Sequence, residues 1–193
     1  MTQEIEIEFK NLLTKEEYQR LINHFHTSIR TEMIQKNHYF ETADFQIKKH
    51  HAALRIREKE NTFQMTLKQP NPQGAGLLET HANLTSTEAT SSLKGNFVAK
   101  AEIENALNTM GVSHTDLRYG GMLKTYRIEL NYKDTLIVLD KSDYNGHTDY
   151  ELELEAQEEA YGLKVFNEIL SKHSISIRKT ANKIERFYKT LRY

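Results

Sequence analysis

The chain has no cysteine, no tryptophan and only two prolines in 193 residues. Without cysteine there is neither a disulfide nor a thiolate metal site, which suits a reducing compartment. Neither sign of charge prevails: 26 Lys and Arg stand against 27 Asp and Glu, a formal net charge of −1. No global field therefore draws the protein to nucleic acid or to a membrane surface. No apolar run reaches the length of a bilayer crossing, and the acidic, alternating start has no trait of a secretory leader. HExxH, GxxxxGK[ST] and GxSxG are all missing, which removes the zincin, P-loop and nucleophile-elbow readings. Together these absences predict a soluble, cytoplasmic protein with no membrane partner and none among nucleic acids. Apolar residues reach 38%, low for a globular chain, while charged residues at 27% are ordinary. The length permits a sizeable core, and nothing in the chain resembles a linker, so residues 1–193 read as a single domain.

What is present is a recurring split between ionic and apolar strand faces. Glu4, Glu6, Glu8 and Lys10 share one side of a strand whose other side is Ile5, Ile7 and Phe9. The split returns where Arg55, Arg57 and Lys59 oppose Leu54 and Ile56, and where Gln64, Thr66 and Lys68 oppose Phe63, Met65 and Leu67. It returns again where Thr125, Arg127 and Glu129 oppose Tyr126, Ile128 and Leu130. Glu79 with His81 and Asn83, Asp140 after Leu136 and Val138, and Glu151, Glu153 and Glu155 complete the set. A further strand is predicted from Thr31 to Thr42. Turns are expected at Glu60-Asn61, Tyr132-Lys133-Asp134 and Asn145-Gly146, the last being the strongest hairpin signal in the chain.

Helices are predicted over about 15–26, after Thr14-Lys15-Glu16-Glu17, and from Thr85-Ser86-Thr87-Glu88 to about Leu93. Others carry the stripes Ile103, Ala106, Leu107, Met110 and Leu163, Phe166, Leu170, and a basic helix is expected over about 178–191. The adjacent His50 and His51 diverge on any strand and make poor joint ligands.

If the helices cover the aliphatic strand faces, the charged faces lie on the concave side of a sheet that can curl and close around a polar lumen. That lumen would collect Glu6, Glu8, Glu79, Asp140, Glu151 and Glu153 with Lys10, Arg55, Arg57, Lys68 and Arg127. Burying so many charges is costly unless each is paired or binds something. A triphosphate needs cations around its oxygens, and the hard divalent ions that accompany it need carboxylates. One such substrate would use both halves of the lining.

Glu6-Ile7-Glu8-Phe9-Lys10 has the form ExExK, and its companions follow in order: His38-Tyr39-Phe40-Glu41-Thr42, Leu54-Arg55-Ile56-Arg57, Thr66-Leu67-Lys68, Glu79, Tyr126-Arg127, Leu139-Asp140, Glu151-Leu152-Glu153 and Asn182-Lys183. The chain thereby resembles the CYTH family, the triphosphate tunnel metalloenzymes. The resemblance implies an α+β fold: a closed eight-stranded antiparallel β-barrel forming a tunnel, with helices packed outside. It also implies dependence on Mg²⁺ or Mn²⁺. By the same resemblance Glu6, Glu8, Glu151 and Glu153 hold metal, and Glu79 and Asp140 hold metal-bound water or orient the cations. Lys10, Arg55, Arg57, Lys68, Arg127 and Lys183 grip phosphate, while Glu6, Glu8, Lys10 and Asp140 stand nearest the chemistry. Glu155 extends the acidic run, leaving open which two of its glutamates are ligands. Glu41 stands where the family commonly has Asp. The expected activity is hydrolysis of a small triphosphate, tripolyphosphate or thiamine triphosphate. The alternatives are a class IV type adenylyl cyclase making cAMP from ATP and a non-catalytic polyphosphate-binding module.

Overall fold

Three two-residue turns fix the hairpins. Glu60 and Asn61 have φ of 48° and 63°, Lys133 and Asp134 have 48° and 55°, and Asn145 and Gly146 have 47° and 76°. Positive φ at both central residues is the type I′ geometry, whose twist matches that of the flanking strands. The turns join β3 (Ala53–Lys59) to β4 (Thr62–Pro70), β6 (Leu117–Tyr132) to β7 (Thr135–Tyr144), and β7 to β8 (His147–Ala156). With β1 (Gln3–Leu13), β2 (Thr31–Thr42) and β5 (Leu77–Leu84), the strands number eight. The computed structural model describes residues 3–28, 31–74 and 76–190, and for residues 3–6 the backbone alone.

The chain divides into two compact units. In the unit made chiefly of Gln35–Met122, β2, β3, β4 and β5 pair antiparallel in that order. One face of this sheet presents Phe40, Leu54, Ile56, Met65, Leu67 and Ala82. These pack with Ile47 of α2 (Gln46–Lys49), Ala89 of α3 (Ser86–Leu93), and Ile103 and Leu107 of α4 (Ala101–Thr109). Each fully buried Leu or Ile contributes about 1.5–3 kcal/mol over its exposed state, so the apolar rows hold the helices in place.

The other unit comprises Glu6–Ile34 and the chain from Leu123 on. Here β6, β7, β8 and β1 pair antiparallel in that order. Ile128, Leu130, Ile137, Leu139, Leu152 and Leu154 face α1 (Lys15–Phe25) and α5 (Glu159–Lys172), which supply Tyr18, Leu21, Phe25, Val165, Phe166, Ile169 and Leu170. Helix α5 lies so close to the sheet at Gly162 that a Cβ there would meet Ala156 Cβ at 2.6 Å and the Phe9 ring at 2.7 Å. The capping boxes of Thr14 with Glu17 and Thr85 with Glu88 open α1 and α3 as their spacing predicts.

Four expectations change. The C-terminal helix is confined to α6 (Lys183–Lys189), and residues 175–182 form neither helix nor strand. Side chains hold that segment against β1: Arg178 N donates to Asn11 Oδ1 at 2.6 Å, and Leu12 N donates to Thr180 Oγ1 at 2.9 Å. The Asn182–Glu185 capping box then starts the helix. Leu163, expected in the core, is 46% exposed, while Val165 and Ile169 join the expected Phe166 and Leu170 in facing inward. Strand β6 begins at Leu117 rather than Lys124 and runs through Gly120-Gly121. Helix α2, absent from the sequence reading, is a single turn nucleated by Glu41, whose carboxylate accepts from the backbone N–H groups of Thr42, Ile47 and Lys48 at 2.8–2.9 Å. No helix among the described residues is long and apolar enough to cross a membrane.

Candidate active site

Antiparallel register puts directly opposed residues on one face, so it determines which charges meet. In the sheet β6-β7-β8-β1, Arg127 lies opposite Asp140, Asp140 opposite Glu151, Lys10 opposite Glu153 and Glu8 opposite Glu155. It is the face opposite the one whose alternate, apolar residues pack against α1 and α5.

The charges there are interlocked. Arg127 donates from Nε and Nη2 to the two oxygens of Asp140 at 2.8 and 2.7 Å, and from Nη2 to Glu153 Oε2 at 2.7 Å. Lys183, first residue of α6, donates to Glu153 Oε1 at 2.7 Å and to Asp140 Oδ2, and stands 3.9 Å from Glu151 Oε2. Arg186, one turn further, bonds Glu151 Oε2 and, at 2.8 Å, Asp149 Oδ2. Lys10 reaches Glu8 at 2.8 Å. Asp140, Glu151 and Glu153 are buried, at 0%, 1% and 7% exposure.

Such burial penalises charge, and the partners decide the outcome. For Arg127 and Lys183 burial alone would lower the pKa, but Asp140 and the neighbouring glutamates raise both well above the ordinary values. Burial pushes Glu153 up, yet Lys183 and Arg127 outweigh it and hold the carboxyl well below the usual range. Burial dominates at Glu151: Lys183 and Arg186 oppose it, the charge of Glu153 adds to it, and the pKa rises to about 7. Glu151 Oε1 is buried with no hydrogen-bond partner among the described residues.

In the sheet β2-β3-β4-β5 the corresponding face is cationic. Arg55 lies opposite Tyr39 and Thr66, Arg57 opposite Asn37 and Gln64, and Lys68 opposite Glu79. Lys68 forms an ion pair with Glu79, and Glu79 Oε2 stands 3.5 Å from His81 Nε2. Arg57 Nε donates to Asn37 Oδ1 at 3.3 Å, while Arg55 Nε is buried without a hydrogen-bond partner among the described residues.

The structure thus gathers Asp140, Glu151, Glu153, Arg127 and Lys183 into one cluster, sets Glu8 beside Lys10, and sets Lys68 beside Glu79. Glu6 is on β1, but its side chain lies outside the described residues. His50 and His51 are exposed. Arg186, Asp149 and Tyr144 were missed, although two signals were readable: Arg186 follows Lys183 by three residues on a helix, and Asp149 precedes Glu151 by two on a strand. Among the described residues no three His, Asp or Glu side chains already form a metal-binding group, because cations hold the carboxylates. The donors nevertheless suit a hard divalent ion: they are oxygens, they are buried, and one carries an unused lone-pair direction at Glu151 Oε1.

The model of the CYTH domain matches residues 4–188. The chain belongs to the CYTH family. It is 42% identical over 192 residues to YjbK of Bacillus subtilis (strain 168), named as a candidate triphosphatase, covering 100% of this chain and 98% of that protein. The crystal structure of a candidate adenylate cyclase from Bacillus halodurans is 45% identical and superposes with a TM-score of 0.91, covering 97% of this chain and 100% of that one. HpAC1 of Hippeastrum, a candidate adenylyl cyclase with a dominant triphosphatase activity, has a TM-score of 0.79 over 96% of both chains. At 22% identity that likeness speaks for the fold alone. The CYTH membership agrees with the resemblance carried by ExExK and its companions, and the α+β architecture with eight antiparallel strands is that of the family.

Proposed function

We propose that this CYTH protein hydrolyses a small triphosphate with the help of Mg²⁺ or Mn²⁺. In this reading its 193 residues act as one tunnel domain, the eight strands close into a barrel, and the ionic faces of both sheets serve a single substrate. The observation that carries the reading is the buried carboxylate cluster Asp140, Glu151 and Glu153, with Glu151 Oε1 lacking a donor among the described residues. A module that merely bound polyphosphate would gain nothing from buried carboxylates that repel the ligand.

Glu6, Glu8, Glu151 and Glu153 would hold the metal, which supplies neutralisation of developing phosphate charge and a more acidic bound water. Asp140 receives two hydrogen bonds from Arg127 and an ion pair from Lys183, so it aims both cations. Those cations, with Lys10, Arg55, Arg57 and Lys68, would bind the nonbridging oxygens. Groups fixed before the substrate arrives stabilise the transition state without reorganising. Glu79, paired with Lys68 and near His81, would orient Lys68 or hold a water.

The test is the purified protein against tripolyphosphate, thiamine triphosphate and ATP, with and without Mg²⁺ or Mn²⁺, scoring phosphate, pyrophosphate and cAMP separately. Metal-dependent phosphate release from tripolyphosphate or thiamine triphosphate is expected. No product from any of the three overturns the reading. The likeness to the Bacillus halodurans protein favours a second reading, cyclisation of ATP, which would appear as cAMP and pyrophosphate in equal amounts.

A further inference from the structure

Arg186 stands outside the motifs that carry the CYTH resemblance, yet its side chain is 10% exposed and all three of its nitrogens have partners. Nε donates to Asp149 Oδ2 at 2.8 Å, Nη1 to the Ala181 carbonyl at 2.6 Å, and Nη2 to Glu151 Oε2. Asp149 Oδ2 also accepts from the Tyr144 hydroxyl at 2.6 Å. Asp149 and Glu151 are two apart on β8 and share a face, so one planar guanidinium spans both carboxylates. The chain Tyr144, Asp149, Arg186 therefore ends on one oxygen of Glu151 and leaves the other, Oε1, buried without a donor among the described residues. A buried carboxylate oxygen left in that state is costly until a cation completes it.

We propose that Arg186 is a positioning residue: fixed by Asp149 and Tyr144, it locks Oε2 of Glu151 and thereby presents Oε1 to a divalent cation. This rests on the reading that a divalent ion is held by Glu6, Glu8, Glu151 and Glu153. A lysine would keep the charge but lose the fork, so Arg186→Lys does not restore the arrangement.

Mn²⁺ alone, without substrate, is titrated calorimetrically into the full-length wild type and the variants R186K, R186Q and Y144F, with tripolyphosphate hydrolysis assayed in parallel. Outer partners of metal ligands typically account for about 10–100-fold in metal affinity, and that loss is expected in R186Q and R186K alike. Removing the single hydroxyl in Y144F should weaken Mn²⁺ about threefold, the effect of one hydrogen bond, while the variant still folds. Wild-type Mn²⁺ affinity in R186K and Y144F overturns the proposal, and these two variants decide it if R186Q fails to fold. Should the wild type hydrolyse tripolyphosphate while the variants bind Mn²⁺ as it does, the positioning role alone falls. Should the wild type neither bind Mn²⁺ nor hydrolyse, the functional reading falls with it.

Discussion

The sheet β2-β3-β4-β5 and the sheet β6-β7-β8-β1 each turn an apolar face to helices, but their opposite faces carry unlike charge. On the first, Arg55, Arg57, Lys59 and Lys68 outnumber Glu79; on the second, Glu8, Glu129, Asp140, Asp149, Glu151 and Glu153 outnumber Lys10 and Arg127. The acidic face could not stay buried on its own, since like charges in a low dielectric repel strongly. Helix α6 supplies the missing cations, Lys183 and Arg186, from outside the sheet. The cationic face has no counterpart to α6 among the described residues and keeps Arg55 Nε buried without an acceptor. Under the proposed function the second sheet would hold metal and the first would receive phosphate, and the variants at Glu8, Asp140 and Arg57 test that division.

Glu8→Ala strikes the acidic side with the least structural damage, because Glu8 is partly exposed and its ion pair is with its own strand's Lys10. Turnover should fall by about 1,000-fold or more, in keeping with the several kcal/mol a bound metal supplies. Circular dichroism and melting temperature should be unchanged. Wild-type turnover in this variant would end the metal role of β1. Asp140→Asn tests whether the acidic face is held by its cations: removing one charge from a fully buried partner of Arg127 and Lys183 should destabilise by about 3 kcal/mol, read as a lower urea midpoint. On the cationic side Arg57→Ala should raise KM about tenfold and leave kcat nearly unchanged, the value of one charge-assisted contact to phosphate. An equal fall in kcat would show that both sheets act in the transition state and would blur the division.

How much of this was readable in the sequence follows from which interactions are local. Alternation along a strand is local, so the ionic faces of 6–10, 55–59, 64–68, 125–129 and 151–155 could be written down, as could the I′ turns at Glu60-Asn61 and Asn145-Gly146. Capping boxes are equally local. What escaped depends on contacts across the chain. Arg178 read as part of a basic helix, but Asn11, 167 residues earlier, draws its backbone out of helical geometry. Arg186 fell within the expected basic helix with no role of its own, and only the pairing with Asp149 and Glu151 of β8 gives it one. The strand expected from Lys124 starts at Leu117, because the alternation that marks a strand is not legible through Gly120-Gly121. Leu163 matched the helical period, yet which of two overlapping stripes faces inward is set by the close approach at Gly162.

The smallest effect concerns how the acidic sheet keeps its C-terminal segment. Arg178 Nη1 and Nη2 contact the two oxygens of Glu17 at 2.8 and 3.0 Å, and Nη1 also donates to the Leu12 carbonyl at 2.9 Å, so one ion pair clips residues near 178 to α1 and β1. Burial would raise the Glu17 pKa, but the Arg178 guanidinium and the Thr14 backbone N–H prevail and lower it. A carboxyl depressed in the folded state contributes stability above its unfolded pKa, about 4.5, and loses that contribution as pH falls through the lower folded value. The wild type should therefore lose part of its stability below about pH 4.5, while Glu17→Gln should be about 1 kcal/mol less stable at neutral pH and show a flatter acid limb. Urea midpoints at intervals from pH 7 to pH 3 separate the two curves. Parallel curves would mean that the clip adds nothing, and that Asn11 and Thr180 alone hold the segment that carries Lys183 and Arg186 to the acidic face.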